Sequence, residues 1–140
     1  RWVFSLVWLV LALCVMRIAV ADDEVSILDR YPGRMIALGD HRLHLHCIGQ
    51  GAPTVVFESG IGGFSLEWRA LQEQLAVQQR ACAYDRAGYG WSDFVDAPAD
   101  AARSAEELHS LLSKAGEAGP YLFIGHSYGG FILRWFARRH

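Results

Sequence analysis

Apolar and polar positions follow two different periods along the chain, and these periods predict strands and helices in turn. Short runs rich in β-branched and aromatic residues predict strands, and apolar residues three or four positions apart predict helices. The predicted strands are 34–38, 41–48, 54–58, 81–84 and 121–124, and the predicted helices are 65–79, 101–115 and 128–139. This order favours an α/β fold with a hairpin, a mostly parallel sheet and helices on both faces.

The strand patterns also predict how each strand is covered. In the second strand Leu43, Leu45 and Cys47 alternate with polar residues, so we expect one buried face and one polar surface face. Runs 54–58 and 121–124 lack this alternation, which is typical of strands covered on both faces. We interpret the closely spaced histidines as part of the polar face rather than as a metal site: His41, His44 and His46.

The first 21 residues form a separate apolar segment. Residues 2–16 are apolar except for Ser5, and Arg17 interrupts the run before Ala19-Val20-Ala21. Two interpretations stay open: a signal peptide cleaved after the small residues, or an uncleaved membrane anchor of about 20 residues. Either one predicts a protein that is exported or held at a membrane, on the periplasmic or extracellular side. We expect residues 22–32 to be a polar linker and 33–140 to form the folded domain.

Composition excludes some classes of function. The net charge of −2 gives no reason to expect a nucleic-acid partner. The three cysteines, Cys14, Cys47 and Cys82, have no paired C-x-x-C spacing, so a zinc site has no support. We therefore expect no metal.

The sequence around Ser127 carries the strongest chemical signal. Gly125-His126-Ser127-Tyr128-Gly129 has the G-x-S-x-G pattern, and it lies between a predicted strand and a predicted helix. Such a turn forces the serine into strained backbone angles, and the small residues on either side let strand and helix approach closely. The helix dipole would favour negative charge that develops near the serine.

Two more motifs follow predicted strands in the same way. Residues 58–63 read Glu-Ser-Gly-Ile-Gly-Gly, and residues 84–92 read Tyr-Asp-Arg-Ala-Gly-Tyr-Gly-Trp-Ser. Together with the serine turn, these motifs resemble the N-terminal half of an α/β-hydrolase-fold enzyme, over residues 31–140. The hairpin sequence His41-Arg42-Leu43-His44-Leu45-His46-Cys47 is similar to that of exported or membrane-anchored bacterial-type members. It implies the α/β-hydrolase fold, truncated after the helix that follows the serine.

The resemblance implies a role for several residues. Ser127 would be the nucleophile, and the backbone N–H groups of Tyr128 and Ile61 would form the oxyanion hole, with Gly60 as an alternative donor to Ile61. Asp85 would brace its loop rather than react. A serine at this turn also argues against epoxide hydrolases and haloalkane dehalogenases of this fold, which carry an aspartate there.

The catalytic acid and base are not among these residues. In this fold they follow the serine along the chain, and His140 is the one histidine after Ser127. It would lie at the far end of the predicted helix, about 20 Å away, and His126 should point away from its neighbour. We therefore expect the fragment itself to be inactive.

The resemblance implies a serine hydrolase that cleaves a carboxylic ester, thioester or small amide in a small-molecule substrate, without a cofactor. Two related enzymes stay open as alternatives: a proline-iminopeptidase-like aminopeptidase and a cofactor-free haloperoxidase type. A third alternative is a non-catalytic member of the fold that binds a ligand.

Cys47 and Cys82 fall on strands that are neighbours in this fold. An oxidising compartment would allow them to pair. We expect two buried thiols instead, because bridges between adjacent strands are often strained.

Overall fold

A computed structural model of the chain describes residues 32–140, and the expectations for residues 1–21 and for the linker up to Tyr31 lie outside this range. Five strands form one sheet: β1 (Arg34–Ala37), β2 (Arg42–Ile48), β3 (Thr54–Glu58), β4 (Ala81–Tyr84) and β5 (Tyr121–Gly125). A 3₁₀ helix (Ser65–Trp68) leads into α1 (Arg69–Leu75), and two longer helices follow: α2 (Ala101–Ala115) and α3 (Gly129–Arg139). None of the helices in 32–140 has the length and apolar character needed to cross a membrane.

The sheet confirms the predicted mixed topology. Its strand order is β1-β2-β4-β3-β5. Strand β2 pairs antiparallel with both β1 and β4, and β3 pairs parallel with both β4 and β5. The chain leaves β3 for β4 on one side and later returns to β5 on the other side. The loops after β3 and β5 therefore leave the same edge of the sheet side by side, which is where open α/β sheets bind ligands.

Helices cover both faces of the sheet, as predicted. On one face, α2 and α3 pack against β2, β3 and β4 through a core of buried residues that includes Leu43, Leu45, Val56, Leu108, Leu112 and Ile132. On the other face, Val55, Phe57, Ala81 and Ala83 pack against Trp68 and Leu75. The predicted inner face of α2 is fully buried: Ala105, Leu108, Leu111 and Leu112.

The α-helix in the region 65–79 is shorter than predicted, and it faces the core with a different set of residues. A 3₁₀ segment occupies its start, and α1 ends at Leu75. Leu71, expected in the core, is 37% exposed, whereas Gln72 is 1% exposed. The Gln72 amide donates to the carbonyl oxygens of His46 and Ala81, at 2.8 and 2.9 Å. A buried amide that satisfies two strand carbonyls therefore overrides the apolar pattern.

Two predictions of burial were wrong. His44, expected on a surface face, is 4% exposed, because the loop after β4 covers that side of β2 and places Trp91 against the imidazole ring. Strand β5, expected to be covered on both faces, lies at the edge of the sheet formed by the described residues, and its Leu122 is 47% exposed.

The expectation of two free thiols was also wrong: Cys47 and Cys82 form a disulfide bond between β2 and β4. The antiparallel register places these residues directly opposite each other, with 4.0 Å between their Cα atoms, so their sulfur atoms lie within bonding distance. The Glu117 carboxylate lies within 4.8 Å of both sulfurs. Because the sulfurs are bonded to each other, neither is a thiolate that could bind a metal.

Candidate active site

Ser127 lies at the sharp turn between β5 and α3. Its φ angle is 51°, and among residues 32–140 it is the one non-glycine residue with a positive φ. A left-handed backbone is costly for a residue with a Cβ, and such strain concentrates at functional sites. Ser127 is exposed, and its Oγ has no hydrogen-bond partner among the described residues. The turn therefore exposes a free hydroxyl at the surface, as the G-x-S-x-G pattern predicts.

The glycines around Ser127 are required by close contacts. A Cβ on Gly129 would lie 2.4 Å from the carbonyl oxygen of Glu58, and a Cβ on Gly125 would lie 2.7 Å from Leu133 Cδ1. Both distances are shorter than atoms can approach. Small residues at these two positions let α3 begin directly against β3 and β5.

The glycine-rich loop after β3 lies against the serine turn. A Cβ on Gly60 would be 3.4 Å from Ser127 Cβ and 3.0 Å from His126 Nδ1. The N–H of His126 also donates to the carbonyl oxygen of Glu58, at 3.0 Å. The sheet thus brings together Ser127 and the two loops from which an oxyanion hole is predicted.

The predicted oxyanion donors lie on the two segments that meet at Ser127: Tyr128 follows the serine, and Ile61 follows Gly60 in the loop that approaches it. The backbone N–H groups of Tyr128 and Ile61 have no acceptor among residues 32–140. Ile61 is 77% exposed, and Tyr128 is half-buried at the start of α3. Unpaired backbone N–H groups can stabilise a carbonyl oxygen that gains negative charge during a reaction.

A buried charged network supports the loop after β3. Arg86 donates to Glu58 Oε1 and to the carbonyl oxygen of Ser59, both at 2.6 Å, and to the carbonyl oxygen of Gly60 at 2.5 Å. The Tyr84 hydroxyl donates to Glu58 Oε2. Burial raises the pKa of Glu58 to about 7, although the hydrogen bond from Tyr84 and the charge of Arg86 oppose this rise.

Asp85 braces the loop after β4, as the sequence analysis expected. Its carboxylate accepts from the N–H groups of Ser65 and Trp91, at 2.7 and 3.0 Å, and lies 3.1 Å from His44 Nδ1. Burial raises the pKa of Asp85, but the hydrogen bonds from His44, Trp91 and Ser65 outweigh burial and lower it overall. The carboxylate is fully buried, so it supports the loop and is not exposed at the surface.

A cavity of about 260 Å³ lies beside the predicted oxyanion donors. Ile61 and Tyr128 form part of its wall, together with Tyr89, Val95, Pro98 and Arg103. Its volume lies just below the range of about 300–1,000 Å³ that is usual for small-molecule sites, and Ser127 is not among the residues that line it.

The histidines of residues 32–140 do not supply a base for Ser127. His140 stacks on His109 at 3.7 Å between ring centroids, and it pairs with Glu106 at 3.3 Å, at the end of α3 remote from the serine. In the described part of the chain, no histidine nitrogen is hydrogen-bonded to Ser127 Oγ.

The role of Glu58 and Arg86 was not predicted from the sequence. The signal was present, since Glu58 ends a strand that is otherwise apolar, and a carboxylate there needs a cationic partner once it is buried. Arg86 follows the neighbouring strand at the same edge of the sheet, so the pairing of β3 with β4 could have identified it.

Comparison with known proteins decides the family. Residues 53–140 match the family described as alpha/beta hydrolase fold. The chain belongs to this family. Its relatives include the probable transporter efuK of Hormonema carpetanum, 34% identical over 76% of this chain and 16% of that protein. The uncharacterized protein YqjL of Bacillus subtilis is 39% identical over 62% of this chain and 34% of that protein.

The chain is also similar to a further curated protein and to two solved structures. The uncharacterized vacuolar membrane protein YNL115C of Saccharomyces cerevisiae is 32% identical over 71% of this chain and 18% of that protein. The epoxide hydrolase CorEH superposes with a TM-score of 0.69 at 28% identity, over 76% of this chain and 37% of that one. A thermophilic esterase from Thermogutta terrifontis superposes with a TM-score of 0.69 at 25% identity, over 78% of this chain and 41% of that one. The chain spans about a sixth to a third of the length of these curated relatives.

Proposed function

We propose that this hydrolase-fold protein is a serine hydrolase that cleaves carboxylic ester, thioester or small amide bonds through an acyl-enzyme on Ser127. The observation that carries the proposal is the strained, exposed Ser127 before α3, with an unpaired N–H on Tyr128, which follows it, and another on Ile61, in the loop that packs against it. An ester carbonyl placed over the serine Oγ could direct its oxygen toward these groups.

The reaction proceeds in two halves. A histidine base takes the proton from Ser127 Oγ as the oxygen attacks the carbonyl carbon, and the resulting oxyanion is stabilised by the backbone N–H groups. The tetrahedral intermediate expels an alkoxide, thiolate or amine, which receives the proton from the histidine. Water activated by the same histidine then attacks the acyl-serine and releases the acid.

The acid and the histidine of this triad belong, in our proposal, to chain beyond His140. Support comes from the order Ser, acid, His in this fold and from the limited share of its relatives that the chain spans. The helix dipole of α3 adds to the stabilisation of negative charge near Ser127.

A serine nucleophile favours ester-type substrates over epoxides. The fold is shared with an epoxide hydrolase and with an esterase, so the fold alone does not choose between them. Ser127 supports the esterase reaction, because an acyl-serine is hydrolysed by water that the triad histidine activates. The cavity beside Ile61 and Tyr128 supports a small-molecule substrate.

We also propose that the protein is exported or anchored in a membrane through residues 1–21. The disulfide between Cys47 and Cys82 supports this location, because disulfides persist in oxidising compartments. A relative described as a vacuolar membrane protein is consistent with it.

The rate of ester hydrolysis by the Ser127→Ala variant, compared with wild type, tests the proposed function. The protein expressed from its complete gene should hydrolyse p-nitrophenyl acetate or butyrate, and Ser127→Ala should lose at least about 10³-fold in kcat. Ser113→Ala, at an exposed serine near the end of α2, is the matched control and should keep its activity. Equal turnover by Ser127→Ala and wild type would contradict the proposal, and ligand binding without turnover would favour a non-catalytic receptor.

A further inference from the structure

One buried guanidinium holds the loop that carries the oxyanion donors. Arg86 is 7% exposed, and its two Nη atoms contact two successive carbonyl oxygens, those of Ser59 and Gly60. Nη1 also binds Glu58, and the aromatic ring of Tyr89 lies 4.9 Å from the guanidinium carbon. Three residues in a row, from Glu58 to Gly60, are thus held by one side chain from the next strand's loop.

These contacts determine which way the peptide N–H groups of the loop point. In a trans peptide the C=O and N–H bonds point in opposite directions. The peptides after Ser59 and Gly60 are trans, since the cis bonds of the described residues precede Pro53 and Pro120. When Arg86 draws both carbonyl oxygens toward itself, the N–H groups of Gly60 and Ile61 must turn away from Arg86.

The loop also borders the reactive serine. Gly60 approaches Ser127 so closely that a Cβ would lie 3.4 Å from the serine Cβ. A small rotation of the peptides at Ser59 and Gly60 would therefore change the distance and angle between their N–H groups and a carbonyl bound at Ser127.

We propose that Arg86 is a positioning residue of the oxyanion hole, which fixes the backbone at Ser59 and Gly60 so that the N–H of Ile61 or Gly60 faces the substrate oxyanion. This inference rests on the serine hydrolase function proposed above. It adds a residue whose side chain acts on the reaction through the backbone of another loop.

Glu58 and Tyr84 hold Arg86 in place. The Glu58 carboxylate is fully buried and accepts from both Arg86 and the Tyr84 hydroxyl. A rotation of the guanidinium would leave this carboxylate and two carbonyl oxygens without donors in a buried environment, which is costly. The donors are consequently fixed before substrate binds, and fixed dipoles stabilise a transition state without reorganisation.

Arg80 provides a matched control at the other end of β4. Its guanidinium pairs with Glu117 at 2.5 and 2.6 Å and donates to the carbonyl oxygen of Gly49 at 3.1 Å. It therefore resembles Arg86 in chemistry, with a carboxylate and a backbone carbonyl as partners. Arg80 precedes β4, whereas Arg86 follows it, so Arg80 is remote from Ser127.

Kinetics of Arg86 and Arg80 variants test the inference. In the protein expressed from its complete gene, Arg86→Gln should lower kcat for p-nitrophenyl butyrate by about 10²-fold, with KM changed by less than about threefold. The inhibition constant of a boronic acid that mimics the tetrahedral intermediate should rise in parallel with the loss of kcat. Arg86→Lys should recover part of kcat, and Arg80→Gln should keep it.

Hydrogen exchange supplies a measurement that does not depend on turnover. The amides of Gly63 and His126, which donate to the carbonyl oxygens of Gly60 and Glu58, should exchange faster in Arg86→Lys and Arg86→Gln than in wild type, and Arg80→Gln should leave them unchanged. Unchanged exchange in Arg86→Lys would overturn the inference.

The outcomes separate this inference from the proposed function. Turnover that depends on Ser127 but is normal in Arg86→Gln overturns the role of Arg86 alone. Turnover that does not depend on Ser127 overturns the proposed function and the oxyanion role with it. If Arg86→Gln does not fold, Arg86→Lys decides, and a wild-type kcat in that variant contradicts the inference.

Discussion

Glu58 should make the stability of the protein depend on pH in an unusual direction. Its carboxyl group is fully buried between Tyr84 and Arg86, and burial raises its pKa from 4.5 to about 7. The folded state then binds a proton more tightly than the unfolded state does. The stabilisation from Glu58 is therefore complete below about pH 4.5 and is lost as pH rises through about 7.

The size of this effect follows from the shift in pKa. A rise from 4.5 to about 7 corresponds to on the order of 3 kcal/mol between the ends of this pH range. Glu58→Gln removes the titration and keeps the shape, because the amide can still accept from Arg86 and contact the Tyr84 oxygen. The free energy of unfolding of wild type minus that of Glu58→Gln should fall by this amount between pH 4.5 and 8.

Urea unfolding at several pH values measures the difference. Burial lowers the pKa of His46, so that residue acts in the opposite direction, and the net downward shifts of Asp85 and Glu117 act at lower pH. These contributions are common to both proteins and cancel in the comparison. Parallel pH profiles for wild type and Glu58→Gln would refute the reasoning. A difference that rises with pH would show that Arg86 keeps the carboxylate ionised despite burial.

Two further predictions concern the disulfide and the serine turn. Reduction should lower the free energy of unfolding by about 3–4 kcal/mol, because the bond between Cys47 and Cys82 closes a loop with a sequence separation of 35; a Cys47→Ala/Cys82→Ala variant should not respond to reductant, and an equal response in both proteins would contradict the prediction. Gly129→Ala should destabilise the fold by about 1–3 kcal/mol, because its Cβ would lie 2.4 Å from the Glu58 carbonyl oxygen. The neighbouring control Gly130→Ala has no atom within 4 Å of its added Cβ and should be neutral or stabilising, as thermal unfolding of both variants would show.

The order of elements was predictable from the sequence because periodicity and motifs agreed. The strand at Thr54–Glu58, the strand at Ala81–Tyr84 and the helix at Ala101–Ala115 have the predicted bounds. In each case a strong apolar pattern is flanked by residues that mark the boundary of an element. Asp100 is an example, because its side chain caps the start of α2 by accepting from the N–H of Arg103. Local sequence and tertiary packing favour the same structure there.

The missed features depend on contacts between distant residues. Gln72 is buried because two strand carbonyls need a donor, and His44 is buried because the loop after β4 folds over it. The bond between Cys47 and Cys82 depends on the register of β2 with β4, which no local pattern specifies. The contacts of Arg86 with Ser59 and Gly60 join two loops 26 and 27 residues apart in sequence.

The candidate site likewise has one part that was predictable from the sequence and one part that was not. The motif at Ser127 and the glycines beside it could be identified from spacing, since the turn requires small residues at fixed offsets. The network that supports the oxyanion loop could not, because it consists of side chains whose partners lie on another strand.

Covalent labelling of Ser127 tests the central claim most directly. The protein expressed from its complete gene is treated with a fluorophosphonate, which reacts with serines activated by a base, and the modified peptide is identified by mass spectrometry. The account predicts one adduct on Ser127, its loss in Ser127→Ala and its retention in Ser113→Ala. A folded protein that hydrolyses esters but carries the adduct on another residue, or carries none, would contradict the account.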